Sequence, residues 1–488
     1  MSDLSLILTA AAPSPSTTRR QWLTDTLRAA VLEGRLAPGA LLPASRELAA
    51  ELGLGRNTVV GAYEQLGVEG YLVADRQGTR VGSGLLSAAG SPGLAGLART
   101  SGPLPGLSRR ARLDLPAGAA DAEALRPFLP GVPALDHFPL QRWRRGVTAA
   151  WGRLAIADLG GRPPLGEAAL REALAAHLAS SRGVRCTPAQ IQLTSGTQES
   201  LLLCAQLLAD AGDCAWVDNP GYAGARAAFG AAGLRMVGIP VDGQGLAPSA
   251  ADWRRAPPRL VYTTPAHQYP TGVVLSLARR ASLLAGAAAA GAWILEDDYD
   301  SELCQGVPLA AIQGSVAQAP VVYLGTFSKT LYPALRLGFI VWPEQLAGDL
   351  SARLAPVHSG GRTAEQLALA AFIREGHFAT HVRRMRSLYA RRQHCLREAL
   401  AQHWPWPLAI SGGQAGMHLA ISLPEGAPDA AVVAQARRRG LGVQALSASA
   451  VPGAPVVQGL VLGYANLAEE RVAGHVATLV ASVKAALR

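Results

Sequence analysis

The chain has 488 residues, and at roughly 150 residues per domain that length points to about two or three domains with ample room for buried cores. Hydrophobic residues make up 49% and charged residues 16%, a globular composition that excludes an extended disordered chain. The formal net charge of +10 suits an anionic partner, yet residues 1–84 hold eight Arg against eight acidic residues, so a nucleic-acid reading has to rest on arrangement.

Taken in chain order, the helical signals are dense from Arg20 to Val81. Gln21–Leu32 is an amphipathic run, Pro38-Gly39 a turn, Ser45–Leu52 a second helix and Arg56–Leu66 a third, with Leu54-Gly55 breaking the last two apart. Val59, Tyr63 and Leu66 fall at i, i+4 and i+7, so one stripe of the third helix faces a core and the opposite stripe is free. Tyr71-Leu72-Val73, a turn over Asp75–Gly78 and Thr79-Arg80-Val81 predict a β-hairpin. Residues 1–84 therefore read as a helix-turn-helix followed by a wing. Residues 85–121, rich in Gly, Ser, Pro and Ala without a clear period, read as a linker. In 122–488 helical runs alternate with short β-rich runs such as Ala215–Val217, Leu260–Tyr262, Trp293–Leu295 and Val321–Tyr323. That alternation predicts an α/β domain with a mainly parallel sheet and ligands at the carboxyl ends of its strands.

Five cysteines without close C-x-x-C spacing indicate neither a disulfide framework nor a zinc knuckle, and point to a reducing cytoplasm. The start carries Asp3 and no early basic residue, which argues against a secretory signal, and the longest apolar stretch, Ala281–Leu295, is too short to cross a membrane. His377 and His381 have the i, i+4 spacing of two zinc ligands but lack a third ligand, so no metal site is expected.

The second helix of a helix-turn-helix presents its N-terminal residues to base edges and phosphates in the major groove. Here those are Arg56, whose guanidinium can grip guanine or phosphate, Asn57, whose amide suits adenine, and the hydroxyl of Thr58. Arg46 and the wing-tip Arg76 can add phosphate or minor-groove contacts. The stretches Gly34–Gly39, Leu42–Ala49, Gly55–Val59, Ala62–Leu66 and Glu69–Leu72 closely resemble the GntR-type winged helix. One departure is Gly55, where relatives usually have Ser as the N-cap, a difference of a few tenths of a kcal/mol.

Of the 45 basic residues only Lys329 and Lys484 are lysines. Arginine replaces lysine on most surfaces but forms no Schiff base, so Lys329, directly after the strand-like Val321–Leu324, is the candidate for chemistry. Thr326, Ser328 and Arg336 around it suit an aldehyde cofactor that also carries a phosphate. Pyridoxal phosphate (PLP) further needs a carboxylate for its pyridinium nitrogen. Asp297 is placed for that role, and Tyr299, two residues on, for the phenolic oxygen. Ser195, Gly196, Thr197 and Gln198 precede a helical run and can cradle the phosphate. Tyr222 can lie over the ring, and the stretch Thr264–Gly272, with His267, can line the same pocket. In this order, from about Phe128 to Arg488, these motifs resemble the fold-type I aminotransferases.

A GntR-type winged helix joined by a linker to such a domain resembles the MocR subfamily of bacterial regulators. The resemblance implies a DNA-binding transcriptional regulator that binds PLP at Lys329 and double-stranded DNA at its other end, as a head-to-tail homodimer. Its aminotransferase-like domain would sense PLP or an amino-acid-type ligand; an active aminotransferase with a DNA-binding appendage is the alternative. Two departures weigh against turnover. The arginine that usually holds a substrate α-carboxylate is replaced by Val461, and a second arginine found in some relatives two residues after the stacking tyrosine is replaced by Gly224, leaving Arg226 and Arg362 as conceivable substitutes.

Overall fold

The computed structural model describes residues 17–82 and 125–488, apart from 162, 307–308, 357, 359 and 414–415. The chain folds as two compact units, Met1–Gly106 and Leu107–Arg488. The expected linker, 85–121, lies outside the described residues, as does the chain start.

In the first unit α1 spans Arg19–Leu32, α2 Ser45–Leu52 and α3 Arg56–Val68. The Thr18 hydroxyl caps α1 by accepting the Gln21 N–H at 3.3 Å, and α2 stops at Gly53, whose φ of 62° is the left-handed conformation that closes a helix. The stripe of Val59, Ala62, Tyr63 and Leu66 on α3 is buried in one cluster with Leu23, Leu27 and Leu48. Strands β1 (Leu72–Asp75) and β2 (Gly78–Val81) form an antiparallel hairpin that Leu72 and Val81 anchor to the same cluster. The periodicity of three short segments is thus enough to build a three-helix core with a wing.

The second unit is built on an eight-stranded sheet of β3 (Ile191–Thr194), β4 (Cys214–Asn219), β5 (Arg235–Asp242), β6 (Gly245–Leu246), β7 (Leu260–Thr263), β8 (Trp293–Asp298), β9 (Val321–Thr326) and β10 (Gly338–Val341). Their order is β3-β10-β9-β8-β7-β4-β5-β6, and only β6 and β10 run against the rest. The central strands are buried along their whole length, as parallel strands covered on both faces are. A smaller antiparallel sheet follows, of β11 (Ile410–Ser411), β12 (His418–Ile421), β13 (Gln444–Ala445) and β14 (Leu460–Gly463), ordered β11-β12-β14-β13. It shares a core with the helices His377–His403 and Val472–Ala486. Among the described residues no helix is long and apolar enough to cross a membrane.

Alternation along β8 sorts its three consecutive carboxylates onto two faces. Glu296 accepts the N–H groups of Ile312 and Gln313 at 2.9 and 3.0 Å. Asp298, on the same side as Glu296, accepts from Arg182 Nε at 2.7 Å and from the Tyr323 hydroxyl at 2.7 Å. Both ends of the Arg182–Asp298 pair are almost wholly buried, so removing one strands the other charge. Asp298→Ala is therefore expected to cost about 3–5 kcal/mol in a denaturant titration.

Candidate functional site

Asp297 points to the opposite face of β8, into a cavity of about 280 Å³ at the carboxyl ends of the parallel strands. Lys329, just beyond β9, lines the same cavity, together with Thr326, Ser328 and Arg336. Lys329 Nζ donates to the Gly131 carbonyl at 2.9 Å. This approach depends on Gly131, whose φ is +78° and where a Cβ would stand 2.6 Å from Nζ. Burial pushes the Lys329 amine below its ordinary pKa against the opposing pull of Asp300 and Asp297. The neutral amine, the nucleophilic form, is favoured accordingly.

Asp297 is buried, with one oxygen, Oδ2, accepting from the Tyr262 hydroxyl at 2.7 Å. The other, Oδ1, has no hydrogen-bond partner. Burial first, and the charges of Asp298 and Asp300 after it, raise its pKa to about 7, while the Tyr262 bond and Lys329 oppose the rise. A buried carboxylate oxygen left without a donor fits a cationic N–H arriving with a ligand.

The helix Thr197–Leu208 starts at the cavity, with Thr197 and Gln198 on its wall. Gly196 precedes it at φ +94°, and a Cβ there would stand 3.6 Å from the Arg336 guanidinium carbon. A helix N-terminus, a guanidinium and two hydroxyls thus converge, a donor set that fits a phosphate dianion. Ser195 and Gly196 are not on the cavity wall, and the Ser195 N–H is taken by the Glu199 carboxylate rather than left for a phosphate. Gln198 Nε2 donates to the Tyr222 hydroxyl at 3.1 Å and so fixes that ring at the cavity edge.

Tyr299 lines the cavity, but its hydroxyl sits 3.0 Å from His267 Nδ1 and donates to the His267 carbonyl at 3.0 Å. His267 itself is one layer further back than the sequence implies: it is buried, off the cavity wall, and held by Asp300 Oδ2 at 2.9 Å. Its place is to orient Tyr299. Sequence reasoning also misses Tyr262, Met417, His418 and Gln444, all on the wall. His418 and Gln444 arrive on strands of the small sheet, whose non-local register brings them there, and Met417 directly precedes His418.

The two arginines that could replace a carboxylate clamp are otherwise engaged. Arg226 donates to the carbonyls of Gly221, Ser449 and Ala448 at 2.9–3.1 Å. Arg362 donates to the carbonyls of Leu335 and Arg336. At Gly224 any Cβ would collide with the Tyr222 ring and the Gln198 amide. His381, on the helix His377–His403, bonds the Thr330 carbonyl at 2.9 Å through Nε2.

In the first unit Arg56, Asn57 and Thr58 form the first turn of α3, the first two exposed and Thr58 half-buried. Arg46 on α2 and Arg76 at the hairpin tip are exposed as well. Gly55 enters α3 in an extended conformation without a side-chain cap.

The family model of aminotransferases of class I and II matches residues 137–453, and that of the gntR family of bacterial regulatory proteins matches residues 20–81. The chain is 38% identical to the probable rhizopine catabolism regulatory protein MocR of Rhizobium meliloti, over 91% of this chain and 90% of that one. It is 31% identical to the HTH-type pyridoxine biosynthesis transcriptional regulator PdxR of Corynebacterium glutamicum, over 92% and 91% of the two chains. Among solved structures, the α-aminoadipate aminotransferase LysN of Thermus thermophilus, complexed with N-(5'-phosphopyridoxyl)-L-leucine, matches with a TM-score of 0.67 at 26% identity, over 75% of this chain and 94% of that one. With both family matches in one chain and such identity along most of its length, the protein belongs to the MocR-type GntR-family transcriptional regulators, which join a helix-turn-helix to an aminotransferase-like domain.

Proposed function

We propose that this regulator holds PLP at Lys329 and reads duplex DNA with the first turn of α3. The observation that carries the reading is the buried Asp297 Oδ1, lacking a partner, in the same cavity as the lysine. Asp297 would hold the ring nitrogen, Tyr299 the phenolic oxygen, and Thr197, Thr326, Ser328 and Arg336 the phosphate. Tyr222 would cover a ring face. Bound there, the cofactor supplies an electron-withdrawing ring and a carbonyl carbon reactive toward primary amines.

On this reading residues 1–84 are the DNA-binding domain, 85–121 the linker and 122–488 the effector domain of a cytoplasmic, head-to-tail homodimer. The effector domain acts as a sensor without physiological turnover, because the aliphatic Val461 cannot hold a substrate carboxylate. The switch is a difference in ligand affinity between two dimer arrangements, which changes the spacing of the winged units on DNA.

The test is fluorescence anisotropy with the duplex from upstream of the protein's own coding region, at fixed salt, with and without PLP. PLP is expected to change the affinity. Arg56→Ala is expected to weaken DNA binding about 5- to 100-fold, the worth of one bidentate base contact, while cofactor absorbance stays at the parent level. Unchanged affinity in that variant would remove α3 from the groove.

A further inference from the structure

The small sheet decides what else the cavity can hold. In its antiparallel register Val461 lies directly opposite both Ala420 and Gln444, while His418 is two residues from Ala420 along β12. Directly opposed residues share a face, as do residues two apart, so Val461 stands on the same face as the wall residues His418 and Gln444. That face therefore lacks a permanent charge. His418 is kept neutral by burial first and by the neighbouring His267 and Lys329, and its Nε2 faces the Pro270 carbonyl at 3.2 Å. Gln444 Oε1 accepts from the Tyr269 hydroxyl at 2.8 Å, leaving its amide NH₂ as a donor.

Among the described residues, the lysine and arginine side chains on the wall are those of Lys329 and Arg336. In the proposed function both are committed, one to the cofactor's carbonyl carbon and the other to its phosphate. A second ligand with a carboxylate would bury that charge without a partner, which costs far more than burying a hydrogen-bonded hydroxyl. From the neutral wall beside Lys329 we infer that the effector is a primary amine whose other polar groups are uncharged, such as the hydroxyls of an amino alcohol, and not an amino acid.

The inference rests on the PLP reading. An amine displaces Lys329 from the cofactor carbon by forming one carbon–nitrogen double bond as the other breaks. Both protons of the incoming amine nitrogen pass to Nζ, which departs as a neutral amine, and nothing is oxidised or reduced. His418, Gln444 and Tyr269 then hydrogen-bond the ligand's neutral groups.

The experiment titrates matched pairs into the PLP-loaded full-length protein: ethanolamine against glycine, and serinol against L-serine. The readouts are the visible absorbance and isothermal titration calorimetry. Each amino alcohol is expected to bind at least about tenfold more tightly than its amino acid. Equal or tighter binding of the acids overturns the inference, and so does binding of neither member of any pair. Absence of the visible band before any titration overturns the cofactor reading instead, so the two failures are distinct. Val461→Arg is expected to reverse the preference toward glycine and L-serine; a folded variant, checked by circular dichroism, that still prefers the amino alcohols also counts against it. Should that variant misfold, the comparison in the parent protein decides.

Discussion

Lys329→Ala is expected to eliminate the visible band of the PLP-loaded protein and to weaken PLP binding by at least about a hundredfold, measured by equilibrium dialysis. The loss follows from geometry, because among the described residues Nζ is the one amine on the cavity wall and the Gly131 carbonyl and Gly131's bare Cα hold it in place. The chain offers a direct control. Its only other lysine, Lys484, is exposed on the C-terminal helix Val472–Ala486, so reductive trapping with borohydride followed by peptide mass mapping has two candidate sites to distinguish. The mass of the reduced cofactor is expected on the Lys329 peptide alone. Trapping on Lys484, or an unchanged spectrum in Lys329→Ala, would dismantle the proposed chemistry. Regulation should fail in the variant while α3, folded around its own core, keeps its basal grip on DNA.

Much of this was legible before any coordinates, and the reason differs between the two units. The DNA-binding unit is local: Val59, Tyr63 and Leu66 mark the buried stripe of α3 by spacing alone, and all three are buried. At the cofactor site the legible part is what sits at strand ends, where Asp297 and Lys329 each follow an apolar run. Sequence alternation shows that Asp297 and Asp298 oppose one another but not which of them meets the cavity. Packing decides, because Arg182, from a distant helix, claims Asp298. Arginine roles were the least legible. Arg226 and Arg362 look like spare cations in a sequence and turn out to staple backbone carbonyls. His267 reads as a wall residue and becomes the support of Tyr299. His418 and Gln444 carry no local signal, since the pairing of β12 and β13 with β14 brings them to the cavity.

Asp297→Asn is expected to pull stability and cofactor binding in opposite directions. In the cofactor-free protein the Asp297 carboxyl titrates near 7, raised chiefly by burial, against an ordinary value of 3.8. Between those values the folded chain binds a proton that the unfolded chain has released, so this group makes the protein less stable as pH climbs from about 4 to 7. Asparagine carries no titratable proton and can still accept the Tyr262 hydroxyl, which now bonds Oδ2 at 2.7 Å. The variant should match its parent near pH 4, and its advantage should grow through that window to about 2–4 kcal/mol above pH 7, as read by denaturant titration without cofactor. Asp218 and Glu296, also raised to about 7 by burial, slope both proteins alike and cancel in the difference. With PLP present that advantage should shrink. A neutral amide cannot balance a protonated pyridine nitrogen, so binding should weaken about ten- to a hundredfold, the worth of a charge-assisted hydrogen bond. The parent then gains the larger ligand-linked stabilisation. A variant that is no more stable than its parent at pH 8 without cofactor would show that burial does not hold Asp297 as a strained acid, and the carboxylate would lose its claim to the ring nitrogen.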